Sequence, residues 1–283
     1  MRPKQIDRIM AEVKLFPSMP GVAAKLLMLS NNSDADPSQV EEILRYDPGL
    51  TANILKLTNS AYFGLPSRVG SMRQAVVLLG WRRLRQLVIF SCVNALMDKS
   101  VPGYDLPPGE LRRHSIAVSV AAEGLVKELK IMAPPEVFTA ALLHDLGKLV
   151  LGGFVKEEIG EIESIASQGV PFEAAERMIL GTDHAEIGAQ ILKNWSFPSE
   201  IVSAVRWHHA PDAADETNTL IDIVHVANVL CLMIGIGVGR EGLRHEPSPL
   251  VTKRLGLNIT DLEKVASRTL KWVNEMSDVF VND

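Results

Sequence analysis

Between residues 140 and 151 the chain reads Ala-Ala-Leu-Leu-His-Asp-Leu-Gly-Lys-Leu-Val-Leu, an apolar helical run with His144 and Asp145 set in its middle. Burying an unpaired polar group costs roughly 2–7 kcal/mol, and burying an ionised carboxylate costs far more. A chain that carries such a pair into its core must bring a partner to it: a metal, another cation, or a hydrogen-bond network.

Elsewhere apolar residues recur at helical spacing, and no stretch alternates with period two. Asp36-Pro37 and Asp47-Pro48 each set a capping acid before a proline at the first helical position, so each predicts a helix start. Val40, Ile43 and Leu44 line the first helix, and Leu50, Ile54, Leu55 and Thr58 line the second, which ends over residues 59–64 at Gly64. Residues 72–79 and 81–97 read as two helices broken at Gly80. The expected fold class is all-α, a multi-helix bundle. The breaker-rich segment 99–109 predicts a linker between an N-terminal helical part, 1–105, and a C-terminal helical part, 106–283.

The chemistry-bearing residues fall in the second part. Glu110 opens a long helix in which Glu110, His114, Ala117, Val118 and Ala121 share one inward face. Pro134-Pro135-Glu136 opens the helix that carries His144 and Asp145. Thr182 or Asp183 caps a helix whose inward residues are His184, Ile187, Gly188, Ile191 and Leu192. Ile201, Val205 and the pair His208-His209 line another, which Pro211 ends. Over residues 219–233, Asn228 is the polar member of the inward stripe Ile221, Val224 and Cys231, with His225 at its edge.

Seven histidines in 283 residues is an ordinary count, so only their placement argues. Imidazoles on the inner faces of separate helices need either a shared cation or separate acceptors. Neutral imidazole and carboxylate suit iron, manganese or zinc, and helix bundles hold such sites on facing helices. Glu110, His114, His144, Asp145, His184, His208 and His209 exceed the four ligands of a closed zinc site. The set predicts one divalent transition metal at high coordination, or two bridged by a carboxylate such as Asp145.

A net charge of −5 and a pI near 5.8 argue against nucleic-acid binding, and Arg82-Arg83-Leu84-Arg85 reads as the solvated side of a helix. Cys92 and Cys231, without CxxC spacing, predict buried thiols in a reducing compartment. No apolar leader follows Met1, and residues 223–239 are too short and too polar for a membrane span, so a cytoplasmic protein is expected.

His114, then His144-Asp145 followed by Leu146-Gly147-Lys148, then His184 and His208-His209, resembles the HD superfamily of metal-dependent phosphohydrolases. The stretches 47–51 (Asp-Pro-Gly-Leu-Thr), 56–64 (Lys-Leu-Thr-Asn-Ser-Ala-Tyr-Phe-Gly) and 75–80 (Ala-Val-Val-Leu-Leu-Gly), with His184-Ala185-Glu186-Ile187-Gly188, are similar to the HDOD domain, the HD-related output domain of bacterial signalling proteins. The resemblance implies an HD-domain-like helical fold, a role in signal transduction and a signalling protein as partner. HDOD domains are often regarded as relatives that have lost ligands and catalysis. This chain keeps Glu110 and His114 at the spacing of the HD-GYP branch, which hydrolyses cyclic di-GMP, but has Asn228 where that branch places its last metal-binding aspartate and lacks Gly-Tyr-Pro after His209. A metal site on an interaction or output module is the first expectation. A phosphohydrolase acting on a nucleotide or cyclic dinucleotide is the second, with Asp145 bridging or orienting and Lys148 holding a phosphate oxygen.

Overall fold

The computed structural model describes residues 3–30, 36–44, 47–60, 63–132, 134–242 and 246–280. Among them the regular structure is helical, with an isolated extended bridge between Val101 and Leu106. The helices are α1 (Pro3–Leu15), α2 (Gly21–Ser30), α3 (Pro37–Leu44), α4 (Pro48–Thr58), α5 (Met72–Met97), α6 (Glu110–Leu129), α7 (Val137–Leu143) and α8 (Lys148–Glu157). They continue as α9 (Ile159–Ala166), α10 (Phe172–Leu180), α11 (His184–Asn194), α12 (Ser199–Trp207), α13 (Thr219–Met233), α14 (Pro249–Leu255) and α15 (Ile259–Phe280).

The chain divides into two compact units, Met1–Pro17 with Met97–Leu270, and Ser18–Leu96 with Lys271–Asp283. The break at 96/97 falls ahead of the expected 105/106, and the first helix groups with the C-terminal residues, because α1 packs on α8 and α11. Trp195 Nε1 adds a hydrogen bond to the Pro17 carbonyl at 3.0 Å.

In the unit built on α2 to α5, the expected caps form. Asp47 accepts from the Leu50 amide at 2.9 Å and Asp36 from the Ser38 amide at 2.8 Å. Leu50, Ile54, Leu57 and Thr58 are the buried side of α4, with Leu57 taking the place expected for Leu55. Helix α5 breaks at Gly80, whose φ of 76° is open to glycine without steric cost. The Asn59 side chain pins the following loop, accepting from Val69 N at 2.7 Å and donating to Val69 O at 2.9 Å. Ala61 and Tyr62 of the 56–64 motif lie outside the described residues.

In the other unit, α13 packs against α6, α7 and α12 and is buried on every side from Leu220 to Leu232. A single inward stripe is therefore too narrow a reading of it, since Asp222 and His225 are buried as well. Arg254 holds Asp222 with two bonds, Nε to Oδ2 at 2.8 Å and Nη2 to Oδ1 at 2.6 Å. The breaker-rich segment 99–109 is not a free linker. Its turn at Pro102–Tyr104 is seated on α8, where a Cβ on Gly103 would lie 2.1 Å from the Gly152 carbonyl oxygen.

The run around His144 is also not one helix. Helix α7 stops at Leu143, residues 144–147 form a tight turn with Leu146 N bonded to Leu143 O at 3.1 Å and Lys148 N to Asp145 O at 3.0 Å, and α8 begins at Lys148. By length and composition Val137–Glu157 could cross a membrane, but most of it is buried inside the protein.

Candidate metal centre

The turn at 144–147 is positioned by glycine. A Cβ on Gly147 would fall 1.9 Å from the His184 carbonyl oxygen and 2.6 Å from the Gly188 amide, so only a bare α-carbon lets α11 rest directly on the turn. That contact brings His184 to His144 and Asp145. At the start of α11, Asp183 is the cap, accepting from Glu186 N at 2.8 Å. His114 comes from α6, and His208 and His209 follow α12.

Two groups of ligand-type side chains meet there, His114, His144 and Asp145 in one and Asp145, His184, His208 and His209 in the other, with the ligand atoms of each within 4.8 Å of one another. Asp145 belongs to both. Its Oδ2 lies 3.5 Å from His114 Nε2 and 3.3 Å from His144 Nε2, while its Oδ1 lies 3.5 Å from His184 Nε2 and 3.8 Å from His208 Nε2. Two ligands each roughly 2.1 Å from one ion stand roughly 3.0–3.4 Å apart, so these spacings are those of a slightly open coordination shell.

The other ring nitrogens decide the chemistry. Nδ1 of His144 donates to the Ala141 carbonyl at 2.7 Å, Nδ1 of His208 to the Val205 carbonyl at 2.7 Å, and Nδ1 of His114 to the Ile236 carbonyl at 2.9 Å. Nδ1 of His184 donates to Glu176 Oε2 at 2.9 Å. Each partner accepts only, so each ring keeps its proton on Nδ1 and turns Nε2 to the centre, as metal-ligating histidines do. Among the described residues His144 Nε2, His208 Nε2 and Asp145 Oδ1 are buried with no hydrogen-bond partner. Orphans of this kind inside a core call for a cation, and the residues fit a divalent metal.

His225 provides the contrast. Its Nδ1 donates to the His208 carbonyl at 2.7 Å and its Nε2 accepts from Ser248 N at 3.0 Å, so both nitrogens are used within the protein.

The charges follow from the same geometry. Burial pushes the Asp145 carboxyl up, but His144 and Lys148 outweigh it and hold the group well below the usual carboxylate range. Burial lowers His114 to about 4, and burial with the neighbouring imidazoles holds His208 and His209 well below the usual imidazole range, so these rings are neutral. Burial also opposes a proton on His184, yet the charge and hydrogen bond of Glu176 prevail and raise it to about 9.

Lys148 is 1 % exposed, not a surface lysine. Its Nζ donates to Asp145 Oδ2 at 2.8 Å and is ion-paired with Glu241 Oε1 at 2.5 Å, and these carboxylates keep it protonated against the opposing effect of burial. Asn228 Oδ1 lies 3.0 Å from His114 Nε2, at the edge of the first group. Glu110 is not brought into the cluster. Its carboxylate pairs with Arg113 at 2.9 Å and accepts from Gly237 N at 3.1 Å, so it fastens the loop whose Ile236 carbonyl orients His114.

Three members of the site escaped sequence reasoning. Glu176 shares the buried stripe Phe172, Ala175 and Leu180 of α10, and that helical spacing was a usable signal. Tyr104 stands edge-on to His184 with centroids 5.8 Å apart and under Lys148 at 5.3 Å, but its segment reads as a linker. Glu241 follows a glycine-rich stretch that carries no periodicity.

Fold and site define an all-helical protein with a buried histidine and aspartate cluster. The chain belongs to the HDOD domain family, which it matches over residues 16–211. It is similar to the crystal structure of a candidate phosphohydrolase from Shewanella amazonensis SB2B, at 27 % identity and TM-score 0.72 over 96 % of this chain and 97 % of that one. It is also similar to an HDOD domain protein of unknown function from Geobacter sulfurreducens, at 25 % identity and TM-score 0.71 over 95 % of this chain and 89 % of that one. An uncharacterized protein of Treponema pallidum (strain Nichols) is 27 % identical over 217 residues, which are 76 % of this chain and 42 % of that relative, so the chain spans less than half the relative's length.

Proposed function

We propose that this chain is a regulatory output module of bacterial signalling, working in the cytoplasm through a protein partner, and that its buried cluster holds iron, manganese or zinc in a structural or sensory role. The observation that carries this reading is the combination of Nε2 atoms turned to Asp145 with a shortage of anionic ligands. Asp145 is shared by both ligand groups, and Asn228 offers His114's side of the site only a neutral amide oxygen. Two cations close together repel unless anionic ligands offset them. The exposed Val77 and Leu78 on α5, 70 % and 48 % accessible, suit the docking of a signalling protein on the N-terminal helices.

One observation favours phosphohydrolysis as a second reading: the buried pair of Asp145 and Lys148, set as an acceptor and an ammonium beside the same cluster. A bound divalent ion supplies Lewis-acid polarisation of a phosphoryl oxygen and acidifies water. Asp145 would orient the reacting centre, and Lys148 would hold a phosphate oxygen of a nucleotide or cyclic dinucleotide. Against it, Arg177 and Arg206, which line a cavity of about 330 Å³ with Asp183 and Trp207, are already paired with Asp183 and Glu186.

A panel of nucleotides and cyclic dinucleotides with Mn²⁺ or Fe²⁺ tests the two. No turnover, together with co-purification of a kinase, receiver or cyclase, supports the regulatory reading. Metal-dependent turnover abolished by His144→Ala rejects it.

A further inference from the structure

The buried ammonium of Lys148 already carries an anion supplied by its own chain. Glu241 Oε1 sits 2.5 Å from Nζ, with the Glu241 side chain 4 % exposed. Glu241 ends the short turn Gly239–Glu241, within a segment where Gly235, Gly237, Gly239 and Gly242 all have positive φ. The segment lies directly on the site. A Cβ on Gly237 would fall 2.4 Å from His114 Cγ, and one on Gly239 would fall 2.3 Å from the Tyr104 carbonyl oxygen. The same segment gives His114 its Nδ1 acceptor through Ile236, and Arg240 is paired with Glu163 of α9.

We propose that the segment from Gly235 to Gly242 is a latch in which the Glu241 carboxylate occupies the phosphate position on Lys148, so that a phosphate-bearing ligand binds only by displacing it. The inference rests on the reading of Lys148 as the anion-holding residue of the site. The physical argument is one of competition. A carboxylate tethered beside its partner acts at an effective concentration in the millimolar range, which a ligand in solution has to exceed. A phosphate monoester carries about −1.5 to −2 charge at neutral pH and forms several charge-assisted bonds, so it can replace a single carboxylate where a neutral ligand cannot. Displacement would release the turn that orients His114, which links ligand arrival to the histidine cluster.

The probe is inorganic phosphate, titrated calorimetrically into the full chain reconstituted with Mn²⁺, with metal content and melting temperature measured in parallel. Glu241→Gln removes the charge at nearly constant shape. Gly239→Ala keeps the charge but forces the turn off Tyr104. Both are expected to bind phosphate about tenfold or more tighter than the natural chain, a change within the range for close charge pairs. Adding Lys148→Met to Glu241→Gln should abolish the gain. Folded, metal-loaded variants whose phosphate affinity equals that of the natural chain would overturn the latch, and so would a loss of metal on Glu241→Gln, which would make Glu241 a charge compensator for the cations. A gain that survives Lys148→Met would instead overturn the reading of Lys148 as the anion site.

Discussion

The Nε2 atoms of His184 and His209 lie 2.9 Å apart, with His184 Nδ1 bonded to Glu176. One proton has to lie between them, carried on Nε2 of one ring and accepted by the other. The raised affinity of His184 for a proton, to about 9, against the lowered one of His209 makes His184 the donor: without metal, the imidazolium donates from Nε2 to a neutral His209. A metal bound at this half of the site would take the place of that proton.

Metal uptake should therefore release a proton. Since the folded value of about 9 stands above the ordinary histidine value of 6.5, the stabilisation from protonated His184 is complete below about pH 6.5 and is lost as pH rises through about 9. Metal affinity should rise about tenfold per pH unit over that window. Calorimetry in buffers of different ionisation enthalpy counts the proton, and Glu176→Gln should flatten the slope. A pH-independent affinity would contradict the assignment.

Removing Asp145 should empty both halves of the site. Asp145→Ala takes away the carboxylate common to both ligand groups and leaves Lys148 with Glu241 alone. The expected cost is about 3–5 kcal/mol, the range for breaking a buried ion pair, together with loss of bound metal by elemental analysis. A purified protein without metal, whose stability is unchanged by this substitution or by His144→Ala, would make the cluster a hydrogen-bonded core.

Asn228→Asp should raise metal content at the half formed by His114 and His144. Asn228 Oδ1 already stands 3.0 Å from His114 Nε2, so the exchange supplies a charge without moving the chain. Metal per chain, measured in both forms, should increase towards two. Two full equivalents in the natural protein, or no change on substitution, would count against the neutral amide as the weak point.

Gly147 and Gly188 should respond unequally to alanine. A Cβ at Gly147 meets backbone at 1.9 Å and forces α11 away, while one at Gly188 meets a Val205 methyl at 3.1 Å and the Gly147 amide nitrogen at 3.3 Å, contacts that a shift of a few tenths of an ångström relieves. Gly147→Ala should cost at least about 1–3 kcal/mol and lower metal content, and Gly188→Ala should cost less on both measures. Thermal melts with metal analysis check the order.

Local chemistry made much of the fold legible. Capping acids before Pro37 and Pro48, the glycine break at residue 80 and apolar spacing along α6, α11 and α12 act within a few residues, so they can be read from the chain itself. The inward placement of His114 and His184 follows from the same periodicity, whereas His144 and His208 stand just past the ends of α7 and α12, and all four are buried. Segment 99–109 read wrongly because proline and glycine mark turns whether or not the turns are packed, and burial of Tyr104 depends on α8 arriving beside it.

What the sequence determined by itself, then, was the helical class and the inward direction of side chains such as His114 and His184, since both depend on spacing along one helix. Only the tertiary structure decided which of them share a centre. Asp145 divides its two oxygens between two histidine groups because Gly147 admits α11, Glu176 reaches His184 from the preceding helix, and Glu241 joins from a segment far along the chain. Glu110, on the expected face, is drawn off instead to Arg113 and Gly237. A helical period fixes the direction of a side chain, but which groups it meets depends on helix crossings and loop contacts that no local rule encodes.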